Sequence, residues 1–490
     1  MNLSRIIEHW AGMAPAKTAF HYQGEQLGYA DLWRHTEAAT ANLAALGVAK
    51  GERVAWLGLN HPDFIAFLMA CARLGAIAVP LNFRLAAPEL AEVLGHAGVS
   101  RAFVDVPMRA LGEAMVAATG IPLAPAESLA EDRGAPVPVI VGDDSDPVMI
   151  VYTSGTTGRP KGAVHTQANL LWNIASAVAA QDITSSELLL NALPMFHVGG
   201  LNIQTLPVLA SGGSVVLHAR FDPGAWLADV AKYRPTISLL VPATIRAVLD
   251  HPDWATTDLS SLRFLNAGSS TVPLSMIEAF HVRGVPVGQV YGATETGPVS
   301  IVLRSQDAVA RAGSAGKPAL HVEVRLVKRD GSDAATDETG EIWLKGGNVV
   351  AGYWKDPGNS AFAGGWFRTG DLARIDAEGF FWVVGRSKDM IISGGENIYP
   401  AELENVLADC PDILESAVIG RADAKWGEMA VAVVVPKPGT TLDAERVRSL
   451  FEGRLARYKH PREVVFAESL PKTALGKVQK DLLKERLAAS

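Results

Sequence analysis

Cysteine is almost missing from this chain, whose 490 residues hold two, Cys71 and Cys410. They lie far apart and lack metal-ligand spacing, which argues against a disulfide framework or a zinc site and fits a reducing compartment. Basic blocks are missing too. With a net charge of −8 and no cluster of Lys and Arg, the chain carries no nucleic-acid footprint, so small molecules are the expected partners. Nor is there an uninterrupted apolar run of membrane-spanning length. The N-terminus places Glu8 and His9 where a secretory leader needs an apolar core, and the stretch from Phe64 to Val79 carries Arg73 in its middle and runs into Pro80. That stretch reads as a buried helix followed by a strand. No transmembrane span is expected and the location is read as cytoplasmic, with peripheral contact to a membrane surface left open. Internal repeats and low-complexity tracts are also absent, and the chain is read as a monomer or homodimer.

What is present is apolar content, 48% of residues, in a chain long enough for about three domain-sized units. Gly51 to Asn60 reads as a strand and residues 61–75 as a helix. The alternation recurs through Gly213–His218, a helix over 223–233, Thr236–Val241, a helix over 243–249 and Leu262–Ala267. Such repetition predicts a layered α/β body with parallel sheets. From about residue 320 short strands and turns take over, as in Val322–Val327, Gly340–Leu344 and Gly379–Val384, the pattern of a small antiparallel β-barrel or sheet. Then Glu402–Ala408 reads as helix, Ser416–Ile419 and Ala430–Val435 as strands, and the tail as helix. The expected fold is α/β: a large N-terminal domain over 1–384, a hinge at 385–388, and a small mobile α+β domain over 389–490. The Pro/Gly-rich piece from 120 to 145 reads as a surface connection.

Residues 152–162, Tyr-Thr-Ser-Gly-Thr-Thr-Gly-Arg-Pro-Lys-Gly, pack glycines, hydroxyls, Arg159 and Lys161 into one loop after the apolar run Pro147–Val151, with a helical pattern starting at His165. Glycines let backbone N–H groups approach phosphate oxygens, hydroxyls donate further bonds, and the cations offset anionic charge. A Walker loop would place Gly-Lys-Ser/Thr at a helix start; here Lys161 follows a proline and precedes a glycine. Further along stand Tyr291-Gly-Ala-Thr-Glu-Thr-Gly297 after a valine-rich run, Trp366-Phe-Arg-Thr-Gly-Asp371, Gly385-Arg-Ser-Lys388 and Pro471-Lys-Thr-Ala-Leu-Gly-Lys477. Taken singly, these are a polar turn, a helix cap, a Gly-Asp turn, a domain junction and a charged surface turn.

Together and in this order they resemble the signatures of the adenylate-forming superfamily, which comprises acyl-CoA synthetases, firefly luciferases and adenylation domains of peptide synthetases. The resemblance implies ATP, Mg²⁺ and coenzyme A as reaction partners of a small-molecule carboxylate. It assigns ATP/AMP binding to Thr153, Ser154, Gly155, Thr156, Thr157, Gly158, Lys161, Gly268, Ser269, Tyr291, Gly292, Thr294, Glu295, Asp371, Arg386 and Lys477. Within that set it implies that Tyr291 lies against adenine, Thr294 reaches the α-phosphate, Thr156 and Glu295 hold Mg²⁺, and Asp371 and Arg386 reach the ribose. Lys477 would enter the site to stabilise charge that builds as the carboxylate attacks phosphorus, then leave as the small domain swings about Lys388. Gly394, Gly395 and Glu396 would border the tunnel for the pantetheine arm. Catalysis is thus expected from Lys477 and Thr294, with His197 as a gating or lining residue.

The resemblance places the acyl pocket at His197, Val198, Gly199, Ala267, Gly268, Gln289, Ala293 and Val299. None is charged unless His197 is protonated, so an acid with an apolar tail is expected, and Gly199 and Gly200 leave room for a chain or a ring. A medium- or long-chain fatty acid is the first reading and a hydroxycinnamate such as ferulate the alternative. Arg246 stands one position out of register with the arginine of some dicarboxylate-activating relatives, which disfavours malonate-type acids. The chain stops shortly after Lys477, and free coenzyme A is the expected acceptor. A stand-alone enzyme loading a carrier protein would need an aspartate anchor for an amino acid, and Phe196-His-Val supplies none. An inactive nucleotide-binding scaffold fits poorly with intact Thr156, Glu295, Asp371 and Lys477.

Overall fold

The computed structural model describes residues 1–153, 161–268, 272–394, 396–472 and 478–489. Two sheets carry the N-terminal part. One has six strands in the order Leu123–Pro125, Val99–Val104, Arg53–Leu57, Ile77–Pro80, Pro147–Thr153 and Lys161–Thr166. The other has nine, from Lys317–Pro318 and Ile301–Val302 through Val287–Tyr291, Phe264–Gly268, Ile237–Leu240, Leu188–Asn191 and Ser214–Leu217 to the N-terminal hairpin Thr18–Tyr22 and Glu25–Gly28. The central strands pair in parallel, so crossover helices cover their faces.

The largest core joins residues of both sheets to the helices Tyr29–Ala45, Pro62–Leu74 and Gln167–Gln181. Every residue of Pro62–Leu74 is buried, as its continuous apolar run requires. Arg73 survives there because its guanidinium lies 5.0 Å from the Trp33 ring centroid, a cation–π contact that offsets part of the lost hydration. His61 caps the helix start and Gly75, at φ 65°, ends it in the left-handed region, where glycine costs least.

Two stretches differ from the sequence reading. His165 belongs to a strand, Lys161–Thr166, that pairs antiparallel with Pro147–Thr153. Residues 154–160 therefore join two strands of a hairpin, and the helix begins only at Gln167. Its start is fixed by Thr166 and Asn169, each side chain accepting from the other's backbone N–H, the reciprocal arrangement of a capping box. In the 120–145 stretch, Leu123–Pro125 adds an edge strand to the six-stranded sheet, and Ala126 and Leu129 are buried, so part of this connection is core.

Five antiparallel strands follow: Val322–Val327, Gly340–Gly346, Phe362–Ala363, Trp366–Ile375 and Phe381–Arg386. They share a core with the nine-stranded sheet and the end of helix Gln167–Gln181. The last strands, Ile391–Ser393, Glu396–Ile398, Ile413–Asp423, Gly427–Pro436 and Glu463–Phe466, form a sheet of their own. Helices Pro400–Ala408 and Ala444–Ser449 and the helix Lys480–Ala489 accompany it, with an apolar cluster on each side. Among the described residues no helix is long and apolar enough to cross a membrane.

Candidate active site

Strand Val287–Tyr291 delivers Tyr291 at its carboxyl end, the side on which open α/β sheets bind ligands. The ladder between Trp366–Ile375 and Phe381–Arg386 sets Asp371 directly opposite Arg386. These three converge. The Tyr291 hydroxyl donates to Asp371 Oδ2 at 2.9 Å and Arg386 Nε donates to Asp371 Oδ1 at 2.9 Å. Each carboxylate oxygen keeps acceptor capacity for one more donor, which is what a vicinal diol presents. Burial, then the Asp371 charge, pushes the Tyr291 hydroxyl far above its ordinary range, so it stays a donor.

Beyond Tyr291 the chain makes a tight turn, Thr294–Thr296. Gly292 is required there, since a Cβ would stand 1.7 Å from the Pro298 carbonyl oxygen. Thr294 and Glu295 are buried. Glu295 Oε1 accepts from the Tyr353 hydroxyl at 2.6 Å, and the Lys161 ammonium sits 5.2 Å from the Tyr353 ring centroid. Backbone bonds from Trp354 N to Gly162 O and from Val350 N to Glu295 O tie the segment around Tyr353 to both the hairpin and the turn. Tyr353 thus links the lysine of the Gly/Ser/Thr-rich hairpin to the buried carboxylate. The sequence reading missed it, because a tyrosine between Gly352 and Trp354 carries no signal of its own.

Among the described residues no group of three or more His, Cys, Asp or Glu side chains could hold a metal ion. A cation at Glu295 would draw its other ligands from hydroxyl, phosphate and water oxygens. One carboxylate with substrate oxygens and water is how Mg²⁺ is commonly held, so the donor set fits that ion.

His197 caps the short helix Val198–Asn202, its Nδ1 accepting from Gly199 N at 3.0 Å. Burial, reinforced by the charge of Arg84, lowers its pKa to about 4. The ring is therefore neutral at neutral pH. Gly199 has only the His197 ring near its missing side chain. Gly200 serves the backbone instead of pocket room, since a Cβ would lie 2.3 Å from the Pro194 carbonyl oxygen.

Val299 packs with Leu193, Ile203, Leu239, Val290 and the end of helix Gln167–Gln181. Ala267 packs in the separate cluster with Leu240, Met276 and Ile277, and Gln289 is its register partner, so the side chains of both point to the face away from Val299. Gly268 approaches the neighbouring strand closely, a Cβ there meeting Val290 O at 2.8 Å. Val198 is buried, and Ala293 half-buried at the turn. Thr153 ends its strand facing Lys161 across the hairpin.

Farther along, Lys388 lies in the turn Ser387–Asp389 and its ammonium donates to Asp481 Oδ2 at 2.8 Å. Gly394 has φ 61° and its N–H donates to Trp426 O, with Glu396 exposed in the next strand. Ser154, Gly155, Thr156, Thr157, Gly158, Ser269, Gly395 and Lys477 lie outside the described residues.

The α/β scaffold thus brings a strand-end tyrosine to an aspartate and arginine on a neighbouring ladder, and joins a buried glutamate through Tyr353 to Lys161. Residues 7–354 match the AMP-binding enzyme family, and residues 402–477 match the AMP-binding enzyme C-terminal domain. The chain belongs to this family of adenylate-forming enzymes and is an acid–thiol ligase, the class in which its relatives fall. It is 47% identical to the indoleacetate–CoA ligase of Aromatoleum aromaticum, over 100% of this chain and 98% of that one. Identity to the feruloyl-CoA synthase of an Amycolatopsis species is 43%, over 97% of each. A solved fatty acyl CoA synthetase of Mycobacterium tuberculosis superposes with a TM-score of 0.79 at 34% identity, covering 100% of this chain and 98% of that chain.

Proposed function

We propose that this ligase activates an aryl-substituted carboxylic acid, of the indoleacetate or hydroxycinnamate kind, with ATP and coenzyme A. The observation that carries the reading is the near full-length identity of 47% and 43% to ligases named for indoleacetate and ferulate. The fatty-acid reading stands second, favoured by the likeness to the mycobacterial synthetase.

In the first half-reaction a carboxylate oxygen of the acid attacks the α-phosphorus of ATP, forming a mixed anhydride as pyrophosphate leaves. In the second, the coenzyme A thiol loses its proton and attacks the acyl carbon, forming the thioester as AMP leaves. Asp371 accepts the ribose hydroxyls while Tyr291 and Arg386 hold its carboxylate in place. Thr294 donates toward the α-phosphate and Lys161 offsets phosphate charge. Glu295, with Thr156, would hold Mg²⁺, whose charge neutralises the phosphate oxygens. Lys477 supplies a cation where negative charge builds in the first step. The small domain then turns about Lys388 and brings Gly394–Glu396 to the path of the pantetheine arm. The Lys388–Asp481 ion pair would hold one of the two arrangements.

The deciding experiment is coenzyme A-dependent AMP release, with thioester mass confirmed, across indoleacetate, ferulate, benzoate, octanoate, palmitate and malonate. Highest kcat/KM at indoleacetate or ferulate is expected; highest at palmitate or octanoate would install the fatty-acid reading instead.

A further inference from the structure

The turn that carries Thr294 and Glu295 is held by three other segments of the chain. The Glu295 carbonyl accepts from Val350 N at 2.9 Å, the Thr296 carbonyl from Asn348 Nδ2 at 2.6 Å, and the Gly297 carbonyl from Asn202 Nδ2 at 2.8 Å. Two residues on, Val299 N donates to Asn173 Oδ1 at 2.9 Å. All three asparagines are buried. Buried backbone groups must find partners somewhere, and here the segments that supply them matter. Val350 and Asn348 lie in the stretch that leads to Tyr353. Asn202 ends the helix capped by His197, and Asn173 sits on helix Gln167–Gln181, which starts directly after the hairpin strand Lys161–Thr166.

Asn173 and Asn202 also bond each other, since Asn173 Nδ2 donates to the Asn202 carbonyl at 2.8 Å. Backbone carbonyls accept and the Val299 N–H donates, so the direction of both amides is fixed. Gly297 has φ 99°, and a Cβ there would lie 2.7 Å from Asn173 Oδ1, so glycine lets the turn settle onto that amide. Among the described residues Asn202 Oδ1 meets no donor. A buried amide that leaves its oxygen unpaired costs stability that an apolar side chain would not. Stability therefore does not account for an asparagine at 202, and what it adds is the bond to Gly297.

We infer that Asn202 and Asn173 are positioning residues for adenylation, joining the helix that begins at His197 to the Thr294–Thr296 turn and so setting the acid's carboxylate against the α-phosphate. This rests on the reading above that puts the acid beside His197 and the α-phosphate at Thr294, and holds for an aryl or a fatty acid alike. Attack on phosphorus tolerates little misplacement, an error of about 1 Å costing as much as about 100-fold. Apolar contacts are non-directional and permit sliding, whereas two amides of fixed direction set a spacing. Once the acyl-adenylate exists, its own covalent bond sets that spacing, and the second half-reaction no longer depends on the link.

The test takes the acid with the highest kcat/KM and the variant Asn202→Ala, which deletes the bond to Gly297 and leaves the 202 carbonyl for Asn173. Single-turnover pyrophosphate release should slow by about 10- to 100-fold, while ATP and the acid, each titrated alone, bind within about threefold of the wild type. Thioester formation from supplied acyl-adenylate should stay within about twofold. Asn202→Leu, which fills the space without a donor, should give the same split and decides the matter if the alanine variant does not fold. Equal loss in both half-reactions, slowing explained by weakened binding, or unchanged pyrophosphate release would each overturn the inference. Thr294→Val with unchanged adenylation would instead remove the placement of the α-phosphate at this turn, and the inference with it.

Discussion

Two regions of the molecule differ in how their polar groups are paired. At the nucleotide end Asp371 has a protein donor on each oxygen and Glu295 has Tyr353. Ligand binding there adds to a network already in place. Beside the cluster that holds Val299, Gln204 and Asn266 have spent their donors on Gln181 and keep acceptors that meet no donor among the described residues. The first region suits a substrate that never changes, ATP, since preorganised groups need no rearrangement when charge develops.

The largest effect expected at the nucleotide end comes from Lys477→Ala. Loss of one preorganised cation should slow adenylation by roughly 10²- to 10³-fold or more, while thioester formation from supplied acyl-adenylate largely survives. Pyrophosphate release and single-turnover thioester formation separate the two. Equal loss in both would remove the idea that this lysine serves the first half-reaction alone.

Tyr353→Phe asks whether the paired network matters beyond packing. The hydroxyl bonds a carboxylate, and such bonds are stronger than neutral ones. Its removal should raise the Mg²⁺ concentration needed for half-maximal adenylation by about tenfold. A titration of ATP-dependent intrinsic fluorescence with Mg²⁺ gives a readout independent of turnover. An unchanged Mg²⁺ dependence would leave the Tyr353 hydroxyl a packing group only.

The same division governs what could be read from residues alone. Tyr291, Asp371 and Arg386 each sit inside a contiguous motif, so the resemblance singles them out before any fold is known. The α/β alternation was legible for the same reason, because the strands and helices from 213 to 267 are short apolar runs separated by turn residues. Lys161–Thr166 was not, because a strand leading straight into a helix presents no break between the two patterns. Gln181, Gln204 and Asn266 come from three separate segments, and each is a single polar residue in an otherwise apolar stretch. Only the sheet register and the packing of helix Gln167–Gln181 bring them together. Gly200 misled in the opposite direction, its lack of a side chain being demanded by the Leu193 and Pro194 carbonyls.

The smallest effect contrasts two histidines, one at each end, both with pKa lowered to about 4 by burial. His165 is fully buried, with the backbone of Thr294 opposing part of the shift; His197, at the start of helix Val198–Asn202, is half-buried. Between the ordinary histidine value of about 6.5 and the folded value, the unfolded chain binds a proton that the native ring refuses. Stability from each ring is therefore complete above pH 6.5 and is lost as pH falls toward 4. For His165 the loss should reach up to about 3 kcal/mol. Denaturant unfolding at pH 7 and pH 5 should show His165→Gln with a shallower pH slope than the wild type. His197→Asn should flatten it less, because solvent reaching that ring already softens the cost of its charge. A steeper change at His197 would mean that its ring is the more tightly sealed of the two.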